Sequence, residues 1–108
     1  MTPVPRGRLR SPSDAPAEGE TTDALVTTRN GRARVEQILS GRVDTPVDYL
    51  EPSAEWVAVL AGGATVEVAG EPVDLAPGDW VLLPADVPHR LTRVDAGTSW
   101  LAFHFDPS

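Results

Sequence analysis

Turns constrain this chain more than any other feature of its sequence. Among 108 residues there are nine glycines and eleven prolines. Beyond Arg34 they punctuate the sequence at short intervals: Ala61-Gly62-Gly63, Ala69-Gly70, Ala76-Pro77-Gly78-Asp79, and the stretch from Pro84 to Pro88. The segments between are short and either apolar or alternating, and none sustains the 3.6-residue period of an amphipathic helix. The pattern predicts strands at 34–39, 47–50, 56–61, 65–68, 72–75, 80–83, 89–94 and 99–105. Eight strands so closely spaced define an all-β domain, either two packed sheets or a small closed barrel, since both leave few edges exposed.

Residues 1–23 read differently. Four prolines, mixed charge and little aliphatic content cannot bury enough surface to offset the entropy of ordering, so a disordered tail is expected there. Residues 24–33 form a transition segment, in which Leu25-Val26 could add an edge strand and Asn30-Gly31 is a two-residue turn signal. The folded domain is expected over 34–108.

Charge and missing residue types exclude whole classes of function. Residues 1–34 carry six Arg against four acids, whereas residues 35–108 carry three Arg against twelve acids, within a net charge of -7. A folded part this acidic repels a phosphate backbone, so nucleic acid is not an expected partner. All nine basic residues are Arg, which removes Schiff-base and P-loop lysine chemistry. The absence of cysteine removes disulfides, iron–sulfur clusters and thiolate zinc sites. Any metal must sit on carboxylates and on the two histidines, His89 and His104. No apolar run approaches the roughly 18 residues that span a bilayer, and the N-terminus lacks a signal-peptide core, so the cytoplasm is the expected location, without membrane contact. A core of this size is small, and three tryptophans (Trp56, Trp80, Trp100) are many for it. Both point to a homodimer.

The run PGDWVLLPADVPH, Pro77 to His89, resembles the second motif of the cupin superfamily, with Gly78, Pro84 and His89 in place. Asp86 stands where the family has Gly, and Arg93 where it has Asn. Upstream, Glu55 and Gly62 match the end of the first motif. The two histidine positions of that motif are held by Tyr49 and Glu51, or by Asp48 and Leu50 with the longer of its two spacings, and its leading Gly is out of register. The resemblance spans roughly residues 34 to 106 and implies a small single-domain cupin, a jelly-roll-like barrel with its site at the barrel mouth. By that resemblance Glu55 and His89 are retained metal-ligand positions, with Glu51 a third ligand and Tyr49 a fourth, for a divalent Fe, Mn, Zn or Ni. The alternative is a hydrogen-bonded Glu55–His89 pair in a metal-free pocket.

Strand alternation extends the reading. Glu55 shares a face with Val57 and Val59, which points it inward. In the last strand Leu101, Phe103 and Phe105 form the more apolar face, which leaves His104 on the other side, partly exposed or at an interface. With the faces reversed, His104 enters the pocket and completes a His89–His104–Glu55 set suited to non-haem iron. Arg93, four residues past His89, is the arginine placed to face the pocket and pair a substrate carboxylate, or else it forms a surface salt bridge. Gly62-Gly63 reads as a hairpin turn rather than a phosphate loop, and Asp44, Asp79, Asp86 and Asp95 as turn residues bonding nearby backbone. Two functions follow. One is a compact polar small molecule bound in the barrel, with oxygenase, isomerase or lyase chemistry and a divalent metal. The other is a non-catalytic ligand-sensing or dimerisation module.

Overall fold

The computed structural model describes residues 4–106. Nine strands form among them: β1 (Glu20–Thr27), β2 (Ala33–Ser40), β3 (Val47–Tyr49), β4 (Ala54–Ala61), β5 (Ala64–Val68), β6 (Glu71–Leu75), β7 (Trp80–Leu83), β8 (His89–Val94) and β9 (Thr98–Phe105). The eight expected strands are all present, with ends shifted by no more than two residues. They pair antiparallel in two sheets, β1-β2-β9-β4-β7 and β3-β8-β5-β6.

The turns do what their residues allow. Gly78 takes φ +94°, and the Asp79 N–H donates to Ala76 O at 2.9 Å, the geometry of a type II turn with Pro77 presetting φ. Asp79 in turn accepts the Ala76 N–H through Oδ2 at 2.9 Å. Between the sheets, Val59, Ala64 and Ala102 are wholly buried, and Val66, Leu83 and Trp100 pack with them. The apolar residues therefore converge at one end of the barrel, and polar side chains are left to line the other.

The first strand begins inside the segment expected to be tail. Glu20 to Asp23, assigned by composition to the tail, are the first half of β1, in register from Glu20↔Ser40 to Asp23↔Gln37. Further upstream, the Arg10 N–H donates to Gln37 Oε1 at 2.7 Å and Arg10 O accepts from Gln37 Nε2 at 3.0 Å. Gly41 lies so close beneath this segment that a Cβ there would come within 2.5 Å of Pro16 O. Order here comes from backbone pairing to β2 rather than from apolar burial, since β1 remains mostly exposed. Composition registers burial and is blind to ladder hydrogen bonds. Residues 1–3 of the expected tail lie outside the described residues.

Strand β8 carries one residue more than its partner. Val66 pairs with Leu91 but Thr65 pairs with Arg93, so Thr92 is a bulge. Alternation switches there: His89 and Leu91 face the cavity, and Val94, not Arg93, is buried beyond them.

Candidate functional site

Register on the five-stranded sheet assembles the site. Arg34, His104, Glu55 and Leu83 are successive cross-strand partners in one row, and the next row holds Glu36, Ala102, Val57 and Val81. The third row brings Ile38, Trp100 and Val59 together, apolar throughout. Polar rows near the mouth thus grade into an apolar floor. Between this surface and the four-stranded sheet lies a cavity of about 290 Å³, its apolar lining formed by Val57, Val66, Leu83, Leu91 and Trp100.

His104 is the hub. Its Nε2 lies 2.8 Å from Glu36 Oε1 and 2.8 Å from Glu55 Oε2, so a single Nε2–H is shared between two carboxylates. The Glu36 carboxylate also accepts the Arg34 Nε–H, at 3.1 Å. The hydrogen bond to Glu55 outweighs the opposing effect of burial and holds the His104 imidazole above its usual range. At the rim, the Glu20 carboxyl is raised by burial and by the neighbouring charges of Glu55 and Glu36, partly offset by a hydrogen bond from Ser40. The Ser40 hydroxyl accepts the indole N–H of Trp100 at 3.0 Å, which ties the cavity floor to Glu20. Tyr49 is raised first by burial, then by Glu20, Glu55 and Glu51.

On the opposite sheet, Tyr49 and His89 are register partners whose rings stack at 5.3 Å and 10°. The His89 Nδ1 is buried without a hydrogen-bond partner. His89 enters β8 from a turn in which Asp86 takes φ +59°, the conformation that Gly holds easily and Asp tolerates. Asp86 therefore substitutes for the Gly of the motif by backbone conformation.

Of the residues singled out by sequence, Glu55, His89, Glu51, Tyr49 and His104 all line this cavity. Two placements choose between alternatives that the sequence leaves open. The face carrying Trp100, Ala102 and His104 is the inner one; Leu101, Phe103 and Phe105 form the outer face, where Phe103 and Phe105 pack at 5.3 Å and Phe103 is 37% exposed. Apolarity misleads because the outer row Val35, Phe103, Trp56 and Leu82 is itself apolar. Arg93 is turned outward by the Thr92 bulge and pairs with Asp95 instead of facing the pocket. Glu20, Thr22, Arg34 and Glu36, absent from the sequence reading of the site, complete the wall. Alternation of Arg34, Glu36 and Ile38 on one face of β2 was the available signal.

Among the described residues no three His, Asp or Glu side chains come together in a way that would hold a metal ion. Glu55 is engaged by His104, while His89 Nδ1 is buried without a hydrogen-bond partner. The residues present do not fit the metal site that the family pattern implies.

Two sheets in jelly-roll arrangement, with a cavity entered between them and a motif histidine at its mouth, define a cupin. The family model for the cupin domain matches residues 34–103, and the chain belongs to that family. It is similar, with 33% identity and a TM-score of 0.78, to a protein from Ralstonia eutropha JMP134 whose name assigns it provisionally to the mannose-6-phosphate isomerases; the match covers 93% of this chain and 99% of that one. The fold is shared with the cupin domain of an XRE family transcriptional regulator from Enterobacter cloacae (16% identity, TM-score 0.64, 84% of this chain and 100% of that one). It is shared also with a salicylate 1,2-dioxygenase from Pseudaminobacter salicylatoxidans (22% identity, TM-score 0.61, 83% of this chain and 28% of that one). A comparison of the sequence with curated proteins finds no match.

Proposed function

We propose that this cupin binds a compact polar small molecule in its barrel and that the chemistry it supports there is proton transfer of the isomerase or lyase type. The observation that carries this is the position of His104, with one N–H between two carboxylates at the mouth of a cavity whose floor is apolar. A pocket of that kind buries the body of a ligand while a few polar groups orient it. An imidazole held between carboxylates exchanges a proton at short range. The provisional isomerase name of the Ralstonia protein agrees with this chemistry. Thermal-shift measurements against a panel of compact hydroxylated, carbonyl-bearing and amine compounds test it. Stabilisation of the wild type by at least one compound, lost in His104→Asn, is the expected result.

Metal-dependent chemistry with Fe, Mn, Zn or Ni is the weaker alternative, because Glu55, His89 and Glu51 line the cavity without converging. Elemental analysis of protein purified without chelator decides it. A purely sensing module is favoured over an enzyme by one feature, the replacement of both first-motif histidines by Tyr49 and Glu51. We also propose that the outer face of the five-stranded sheet pairs with a second copy. Val35, Phe103, Trp56 and Leu82 make a continuous uncharged row on a chain of net charge -7, where two copies meet without opposing charges.

A further inference from the structure

We propose that the ligand of the cavity is an organic cation, a compact amine or guanidinium compound whose charged group sits against Glu20 and Glu51 and whose carbon body lies on the apolar floor. The proposal rests on the reading of the cavity as the ligand site and adds the charge class of the ligand.

The lining is strongly unbalanced. Among the described residues four carboxylates face the cavity, Glu20, Glu36, Glu51 and Glu55, against one arginine, Arg34, and the His104 imidazole. Arg34 is already paired with Glu36. His104 lies between Glu36 and Glu55, and among the described residues neither Glu20 nor Glu51 has an ion-pair partner. A phosphate or carboxylate ligand would meet a wall of like charge and no free cationic side chain. A neutral ligand would leave Glu20 and Glu51 without a counter-charge. A cationic ligand supplies what the wall lacks, and its N–H groups make charge-assisted hydrogen bonds to carboxylate oxygens.

Glu36 and Glu55 meet at His104 Nε2, and Glu20 and Glu51 line the same cavity. No three acidic or imidazole groups among the described residues are arranged to hold a metal ion. Beneath the acidic rim lie Val57, Val66 and Trp100, a floor that suits carbon and not a hydrated ion. The stacked Tyr49 and His89 rings on the facing sheet add an aromatic surface, to which organic cations are attracted, and the buried His89 Nδ1 is an unused polar atom on the same lining.

The test uses the full-length protein and two isosteric sets: benzylamine, benzyl alcohol and benzoate, and 1,4-diaminobutane, 1,4-butanediol and succinate. Binding is read by calorimetry at low salt and by methyl chemical shifts of Val57, Val66 and Leu83. In at least one set the amine is expected to bind about tenfold or more tightly than its alcohol, with no detectable binding of the carboxylate. Glu20→Gln, at the exposed rim, should reduce the preference for amine over alcohol about three- to tenfold; Glu51→Gln is the second variant should Glu20→Gln disturb β1. Tighter binding of the alcohol or the carboxylate would overturn the cation assignment while leaving the cavity as a ligand site. Failure of all six compounds to shift the three methyl groups would remove the ligand site itself. Mn²⁺ alone perturbing those methyl groups, with the amines silent, would replace the organic cation by a metal ion.

Discussion

His104 on β9 and Glu55 on β4 are direct cross-strand partners, and their side chains meet at 2.8 Å on the inner face of the sheet. With Glu36 at the same distance from the other side, the imidazole separates two carboxylates that would otherwise face one another. Removing it leaves both acids short of a partner in a partly dry site. His104→Leu should therefore lower the unfolding free energy by about 2 kcal/mol, the scale of a lost hydrogen bond to a charged group. Denaturant titration measures this. Adding Glu36→Gln to His104→Leu should recover most of the loss, and an unchanged deficit would show that the histidine acts through packing alone.

The same groups set a direction for pH dependence. Glu20 and His104 both have folded-state values above their ordinary ones, so the native protein holds protons that the unfolded chain has already released. Their contribution is fully present below the ordinary values, about 4.3 and 6.5, and is lost as pH rises through the folded ones. Stability should decline from mildly acidic to alkaline pH. Comparison of wild type with Glu20→Gln across pH 4 to 9 isolates the carboxyl part: the variant curve should fall less steeply, and parallel curves would refute the linkage.

Truncation distinguishes the exposed start of the chain from the part that pairs. Among the described residues 4–9 none hydrogen-bonds β2, so deleting residues 1–9 should change Tm by no more than about 2 °C. Deleting residues 1–23 removes the reciprocal Arg10–Gln37 bonds and half of β1, and should lower Tm by about 10 °C or more. Equal melting temperatures for the two truncations would show that residues 10–23 contribute nothing in solution.

The outer face predicts assembly. Trp80 is 61% exposed beside Trp56, with ring centroids 6.0 Å apart. Light scattering at micromolar concentration should give the mass of two chains, and Trp80→Glu or Phe103→Glu should halve it. A wild-type monomer throughout that range would leave the apolar row without a second copy as its partner.

Strands were legible because each lies between residues with fixed turn geometry: Gly78 and the Ala69-Gly70 pair mark ends that no packing could move. Glu55, Tyr49 and His89 could be placed by alternation and motif spacing alone. Arg93 could not, because a bulge at Thr92 shifts the phase of β8 by one residue and nothing in Leu91-Thr92-Arg93 announces it. The inner face of β9 was misleading for a different reason. Phe103 and Phe105 look like core, yet the sheet they belong to has two apolar faces, and sequence apolarity does not say which one meets the other sheet. Glu20 was hidden by the composition of its surroundings, since its strand is ordered by backbone pairing to β2.

Trp100 gives the molecule an optical probe of its own. It is 6% exposed on the cavity floor, and its indole N–H leads through Ser40 to the Glu20 carboxyl, whereas Trp56 and Trp80 lie on the outer face of the sheet. With those two replaced by phenylalanine, the remaining emission reports polarity and charge inside the barrel. Occupancy of the cavity then becomes readable as a spectral shift from a protein that needs no dye.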